Sequence, residues 1–208
     1  MQAQMNKYSN FAESMSGLAT LHFINGPREC DEDVVAKVPL KMREKLPPPY
    51  YEWWNARDDE SNGEGTVVYD DLDRTLSLLR EHEHAHGPFD GLLGFSQGGC
   101  VAHLACMLRL FASPPRFGIF ISARLTRHTE HVKMVQALAD EPLVLPSLVI
   151  SGGKDTSVPP ELTKQLSKTL SPGLQTRLCL PDGGHRIPKL EEEQARVLRG
   201  FLEAQMQV

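Results

Sequence analysis

The sequence has 208 residues, of which 40% are hydrophobic, and its 22 Lys and Arg against 27 Asp and Glu leave a net charge of −5. This length suits one large domain or two small ones, and the composition is that of a folded globular protein rather than a disordered one. An acidic chain has no basic field to hold a phosphate backbone, so nucleic acid is not expected as a partner. We expect a single domain over residues 1–208, with residues 28–65 as a long, lid-like insertion.

The start of the sequence and the cysteines bear on the cellular compartment. Residues 1–7 lack the apolar stretch of a signal peptide, and no run of about 18 apolar residues occurs in the chain. We therefore expect no membrane span and a cytoplasmic protein, with the nucleus as a second compartment. The 4 cysteines show no CxxC spacing, which favours reduced thiols over disulfides or a structural zinc site.

The first half of the chain predicts few regular elements. Residues 1–16 have the pattern of a helix, and the apolar residues 18–24 predict a buried strand. The charged, proline-rich residues 28–65 predict a long stretch without regular structure, which in a compact domain is functional or disordered. Apolar residues then recur at helical spacing from Val68 to Leu79, and Gly87 with the proline after it ends that helix.

In the second half, short apolar segments alternate with helical patterns. This alternation predicts an α/β fold with a mostly parallel sheet flanked by helices, in which reactive groups lie at the carboxyl ends of the strands. The predicted strands cover residues 89–95, 118–122, 146–151 and 175–180, and the predicted helices cover residues 100–111, 129–138, 161–170 and 190–205.

One serine stands in a pattern that activates serine nucleophiles. Residues 94–98, with Ser96 at their centre, fit G-x-S-x-G between a predicted strand and a predicted helix. A sharp turn at that junction would lift the hydroxyl above the sheet edge, and Gly94 and Gly98 leave room for the close backbone approach that it needs. The alternative is a strand-to-helix loop without chemistry.

A serine hydroxyl needs a base to take its proton and an acid to orient that base. In this fold the acid and then the histidine follow the serine along the chain. Asp155 follows the predicted strand 146–151, and His185 follows the strand 175–180. Alternatives remain open: Asp155 could cap the next helix, His185 could be a solvated loop residue, and Asp182 could serve as the acid.

These motifs, taken together, resemble the fungal-type family of serine hydrolases. The resemblance rests on the segments around Ser96, Asp155 and His185, on Ile24-Asn25-Gly26-Pro27, and on Trp53-Trp54. It implies an α/β-hydrolase fold and hydrolysis of a small-molecule ester or thioester.

The resemblance also implies a role for each matching residue. Ser96 would be the nucleophile, Asp155 the acid and His185 the base, and the backbone N–H of Gln97 would donate to the oxyanion. Neither a metal nor an organic cofactor is needed for this chemistry. The oligomeric state is left open by the sequence.

The sequence departs from the family pattern at its start. Family members open with an apolar strand and a loop that supplies a second oxyanion N–H, whereas residues 1–16 here match the helix that follows that loop. We therefore expect the fold to lack its first, central strand. Three explanations are open: a sequence incomplete at its start, which we favour, a natural variant without activity, or a strand supplied by another chain. A hydrolase-like protein that binds without turnover is accordingly an alternative function.

Two further features have competing interpretations. His82-Glu83-His84-Ala85-His86 fits H-E-x-x-H, the signature of zinc metallohydrolases, but the helix ends directly after it, so a solvated helix end is favoured over a zinc site. Trp53 and Trp54 are predicted either to wall an apolar substrate pocket or to anchor the long loop to the scaffold.

Overall fold

The protein is described by a computed structural model that covers residues 1–38, 40–62 and 65–207. Short elements occupy the first 70 residues and longer ones the rest. The strands are β1 (Arg28–Glu29), β2 (Tyr51–Glu52), β3 (Asn55–Asp58), β4 (Val67–Asp70), β5 (Gly91–Phe95), β6 (Phe117–Ile121), β7 (Ser147–Gly152) and β8 (Gln175–Leu180). The α-helices are α1 (Phe11–Ser14), α2 (Glu32–Lys37), α3 (Leu40–Lys45), α4 (Leu72–His86), α5 (Gln97–Met107), α6 (Thr129–Ala137), α7 (Pro160–Ser167) and α8 (Glu192–Met206).

A parallel sheet of four strands, in the order β5-β6-β7-β8, forms the centre of the molecule. Its middle strands are apolar on both faces, as expected for a parallel sheet covered by helices on each side. Ile119 and Ile121 pack with α8 and the N-terminal segment, whereas Phe120, between them, packs with α5 and α7. The fold class predicted from the sequence is confirmed.

The strand that precedes Ser96 lies at the edge of this sheet. β5 pairs with β6, and in the described part of the chain no strand pairs with its other side. The Ser96 N–H donates to the Ile121 carbonyl of β6 at 2.9 Å. Because the backbone N–H and C=O groups of successive strand residues point to opposite sides, those of Gly91, Leu93 and Phe95 face away from β6. The described chain thus has an open sheet edge beside Ser96, where the sequence predicts a missing strand.

The predicted strand over residues 18–24 is wrong. These residues follow a turn and form no ladder with a neighbour. Thr20 to Ile24 share a cavity with Gly91, Leu92 and Leu93 of β5, so the segment runs near the open edge without bonding to it. An apolar segment forms a strand only when its backbone groups pair with another strand. Among the described residues, no strand pairs with residues 18–24.

Residues 28–65 are more ordered than the sequence predicts. β1 pairs with β2 and β3 pairs with β4, and short helices lie between, although Pro39, Gly63 and Glu64 fall outside the described residues. The helix predicted from Val68 onward begins only at Leu72. Val67–Asp70 is a strand because its β-branched and aromatic residues find a partner in β3, which local periodicity does not reveal.

Two expectations from composition can also be compared with the structure. None of the described helices is long and apolar enough to cross a membrane. The four cysteines are free, with Cys100 buried on α5 and Cys179 exposed on β8.

Candidate active site

Ser96 occupies the sharp turn between β5 and α5. Its backbone has φ 56° and ψ −121°, a positive φ that residues with a side chain rarely adopt. Gly94 allows the turn to close, because a Cβ at that position would lie 2.3 Å from the carbonyl oxygen of Gly98. The hydrogen bond from the Ser96 N–H to Ile121 fixes the turn to β6. The hydroxyl is therefore held beyond the carboxyl end of β5, at the N-terminus of a helix.

The three predicted side chains meet in one line of hydrogen bonds. His185 Nε2 lies 2.9 Å from Ser96 Oγ, and His185 Nδ1 lies 2.8 Å from Asp155 Oδ2. Because an ionised carboxylate can only accept, Nδ1 carries the hydrogen, and Nε2 is left to accept from the serine hydroxyl. The Asp155 side chain is fully buried, and that of His185 is 24% exposed. This arrangement can move a proton from the serine to the imidazole.

Hydrogen bonds keep the buried Asp155 ionised. Burial on its own would raise the pKa of Asp155, but donation from the Val158 N–H, His185 and the Ser122 hydroxyl outweighs it, and the pKa lies below its ordinary value. Oδ1 accepts from the N–H groups of Ser157 at 2.9 Å and Val158 at 2.8 Å. A fixed negative charge therefore faces His185 Nδ1.

The structure distinguishes between Asp155 and Asp182 as the residue that contacts His185. The Asp182 carboxylate lies 2.5 Å from the Lys154 ammonium, and both side chains are exposed. Pro159, not Asp155, is the residue at the N-cap of α7. Asp155 caps its own loop instead, through the N–H groups of Ser157 and Val158, while its other oxygen accepts from His185.

The comparison with known protein families decides the membership of this chain. A sequence model described as serine hydrolase (FSH1) matches residues 2–197. This chain belongs to the serine hydrolase (FSH1) family. The resemblance inferred from the motifs is thereby confirmed.

Curated relatives of this FSH1 family member are longer than it is. Esterase CG5412 of Drosophila melanogaster is 27% identical over 206 residues, which cover 96% of this chain and 68% of the relative. Esterase OVCA2 of Homo sapiens is 32% identical over 154 residues, covering 71% of this chain and 65% of the relative. Esterase GA18864 of Drosophila pseudoobscura pseudoobscura is likewise matched over only 65% of its length. The chain thus spans about two thirds of these relatives.

A solved structure shares the fold of this FSH1 family member. The protein Atu2452 of unknown function from Agrobacterium tumefaciens str. C58 aligns with a TM-score of 0.54 at 20% identity. The alignment covers 96% of this chain and 84% of that protein. The α/β-hydrolase-type architecture is therefore present in both.

In this FSH1 family member, Gln97 has polar groups near Ser96 on both its backbone and its side chain. It is the first residue of α5, so its backbone N–H has no acceptor within the helix. Its side chain accepts from the Trp53 N–H at 2.7 Å and donates to the Trp54 carbonyl at 2.8 Å. The sequence indicates the backbone role but not the side-chain one, since nothing local connects position 97 with residues 44 places earlier.

Trp53 and Trp54 have different surroundings. Trp53 borders a mostly apolar cavity of about 160 Å³ that also touches Gly98, Val101 and the open edge of β5. Trp54 is buried and stacks on Tyr69, with ring centroids 4.4 Å apart. A substrate-pocket role stays a prediction for both, and Trp53 is the one that faces a cavity.

The H-E-x-x-H segment forms the end of α4, as predicted. The rings of His82 and His86 lie 4.7 Å apart, and His82 stacks on Phe89. Among the described residues no group of three or more His, Cys, Asp or Glu side chains has the arrangement of a metal site.

Ser122 is the residue near the site that the sequence does not single out. It lies at the end of the predicted strand 118–122, is 2% exposed and has φ 45°. Its side chain is among the groups that lower the pKa of Asp155. A serine at a strand end carries no motif, so only the folded arrangement reveals this effect.

Proposed function

We propose that this chain hydrolyses carboxylic esters of small or acyl-chain substrates, with thioesters as the second substrate class, through an acyl-enzyme on Ser96. The observation that carries the proposal is the line of hydrogen bonds from Ser96 through His185 to the buried Asp155, at 2.9 and 2.8 Å. Membership of a serine hydrolase family and likeness to proteins named esterases support the same reaction class.

The reaction would proceed in two steps. His185 Nε2 takes the proton from Ser96 as its oxygen attacks the carbonyl carbon, and then gives that proton to the departing alkoxide or thiolate. Water next loses a proton to the same nitrogen and attacks the acyl-enzyme, which releases the acid and restores Ser96. Asp155 stabilises the imidazolium in both steps. No metal or organic cofactor takes part in the mechanism as proposed.

The oxyanion would be stabilised by the Gln97 N–H, at the positive end of the α5 dipole. In this fold the second donor comes from a loop that follows a strand on the far side of the nucleophile strand. That side of β5 is unpaired in the described chain. Loss of one such donor costs roughly 10²–10³ in rate in a well-studied serine hydrolase, so turnover without the second donor would be slower by about that factor.

A second candidate function follows from the same observation. A protein with an intact proton relay and an incomplete oxyanion site could bind an ester or another ligand without turning it over. Labelling of Ser96 separates the two functions, because an activated serine reacts with a fluorophosphonate and an inert one does not.

The test combines labelling with turnover. The purified chain, its Ser96→Ala variant and a Ser113→Ala variant are treated with a fluorophosphonate probe and assayed on oxygen esters of graded acyl length and on matched thioesters. We expect labelling and turnover in the wild type and in Ser113→Ala, whose changed serine is exposed on a loop, and neither in Ser96→Ala. A folded wild type without labelling would overturn the proposal, and labelling without turnover would favour the binding function.

A further inference from the structure

The residue directly before the proposed nucleophile contacts the proposed base. Phe95 is the last residue of β5, and its ring centroid lies 4.8 Å from that of the His185 imidazole, with the two planes inclined by 36°. The two nitrogens of His185 lie against Asp155 and Ser96 at hydrogen-bond distance. Phe95 therefore packs against the imidazole ring without competing for either nitrogen.

Phe95 is held in this position by the sheet and by the core. Its backbone lies opposite Ile121 of β6 in the parallel ladder. Its side chain packs against the buried cluster that includes Ile121, Leu180 and Ile187. Because Leu180 ends β8 and Ile187 lies two residues after His185, this cluster anchors both ends of the His185 loop together with the Phe95 ring.

An aromatic ring at this distance interacts differently with the two charge states of an imidazole. The face of a benzene ring carries partial negative charge and attracts a cation within about 6 Å of its centroid. In the proposed mechanism His185 is neutral at first and becomes a cation when it takes the proton of Ser96. The attraction to Phe95 is therefore gained as the imidazolium forms, and only interactions that strengthen in the transition state accelerate a reaction.

We propose that Phe95 is a positioning residue for the proposed hydrolysis: its ring supports the His185 imidazole and stabilises the imidazolium that forms when Ser96 loses its proton. The inference rests on the proposed function for its catalytic meaning, but the attraction between the two rings can be measured without turnover. Asp155 stabilises the same cation through Nδ1. Removal of the Phe95 ring leaves that hydrogen bond in place, so the two contributions can be separated.

The experiment removes the aromatic ring, retains it, or changes only its charge distribution. Phe95→Leu removes the ring, Phe95→Tyr retains it, and pentafluorophenylalanine at position 95 keeps the ring but withdraws negative charge from its face. Phe117→Leu is the control: Phe117 packs against the same buried cluster, but it begins β6, and its ring contacts Phe201. The readouts are the pH dependence of kcat/KM on an ester and the titration of the His185 ring followed by NMR.

We expect kcat/KM to fall about twofold to fivefold in Phe95→Leu and in the pentafluorophenylalanine variant. The acidic limb of the pH profile and the NMR titration should both move to lower pH by about half a unit, because the imidazolium releases its proton more readily. Phe95→Tyr and Phe117→Leu should match the wild type in both readouts.

Two results would overturn the proposal. A lower rate in Phe95→Leu with an unmoved limb and titration would mean that the ring only fills space, and equal losses in Phe95→Leu and Phe95→Tyr would mean that its aromatic face has no part. A wild type without turnover would instead count against the hydrolase function. The NMR titration of the same variants would still decide whether the Phe95 ring stabilises the imidazolium.

Discussion

The two sides of the site differ in how completely they are built. On the acid and base side, Asp155 follows β7, which pairs with β6 on one side and β8 on the other, and the buried carboxylate accepts hydrogen bonds from three groups. On the nucleophile side, Ser96 follows β5, whose outer edge is unpaired in the described chain, and Gln97 is the one oxyanion donor that we propose. The proposed proton relay is thus held by more contacts than the proposed oxyanion site.

This difference separates two requirements of acyl transfer. Proton transfer needs three side chains in a line, which the loops after β5, β7 and β8 of the parallel sheet supply. Stabilising the oxyanion needs backbone N–H groups from both sides of the nucleophile strand. A chain can therefore hold an aligned relay and still turn over slowly, and changes on the two sides should have different signatures.

The largest expected effect comes from breaking the acid and base side. In Asp155→Asn the side-chain amide can donate to Nδ1, which moves the imidazole hydrogen to Nε2 and prevents that nitrogen from accepting the serine proton. We expect kcat to fall by about 10⁴, as for the same change in a well-studied serine protease, with KM little changed.

Asp182→Asn is the matched control for that variant. Asp182 is an aspartate near His185 in the chain, but its exposed carboxylate pairs with Lys154. We expect its activity to stay within about twofold of the wild type, since an exposed pair contributes little. Equal losses in the two variants would show that Asp155 has no special role.

A second effect concerns the stability of the nucleophile side in acid. His103 on α5 is fully buried, and its Nε2 lies 2.7 Å from Thr169 Oγ1. Because that hydroxyl donates to the Leu166 carbonyl, it accepts from Nε2–H, and among the described residues no hydrogen-bond partner faces the buried Nδ1. Burial lowers the pKa of His103 to about 4. As the pH falls below about 6.5 the unfolded chain takes up a proton that the folded protein refuses, so stability decreases until about pH 4.

Urea unfolding at pH 7.0 and pH 4.5 measures this loss. We expect the wild type to lose up to about 3 kcal/mol through His103, and His103→Gln to lose less, because glutamine does not titrate. Asp155 has the opposite dependence: its pKa is lowered, so the stability it contributes is present above about pH 4 and is lost only below that value. The same pH slope in the wild type and in His103→Gln would contradict this assignment. His84→Gln, at an exposed position of α4, is the control.

The sequence and the structure agree best where the argument depends on order along the chain. That Ser96, Asp155 and His185 lie together could be predicted because each follows a recognisable strand, and parallel strands bring their carboxyl ends to one edge. The unpaired backbone of residues 18–24 could not be predicted, because an apolar segment forms a strand only if another strand lies beside it. The contacts of the Gln97 side chain could not be predicted for a related reason, since they join it to residues distant in sequence.

The smallest expected effect tests how the nucleophile side is joined to residues 28–65. Gln97 holds the backbone of Trp53 and Trp54 through two hydrogen bonds, and the Thr75 hydroxyl donates to the Trp53 carbonyl. Methionine is similar to glutamine in length but pairs with neither group, so Gln97→Met leaves an N–H and a carbonyl of this segment without partners. We expect activity to fall about threefold to tenfold, since a hydrogen bond contributes about 1 kcal/mol.

Tryptophan fluorescence reports this change directly, because the 2 tryptophans of the chain are Trp53 and Trp54. Trp54 is 3% exposed in the wild type, so loosening of the segment should shift the emission to longer wavelength and increase quenching by iodide. Gln165→Met, on the exposed face of α7, should leave both unchanged. A shifted spectrum with full activity would mean that the nucleophile side functions without its contact to residues 28–65. Lost activity with an unchanged spectrum would place the effect of Gln97 at the oxyanion donor itself.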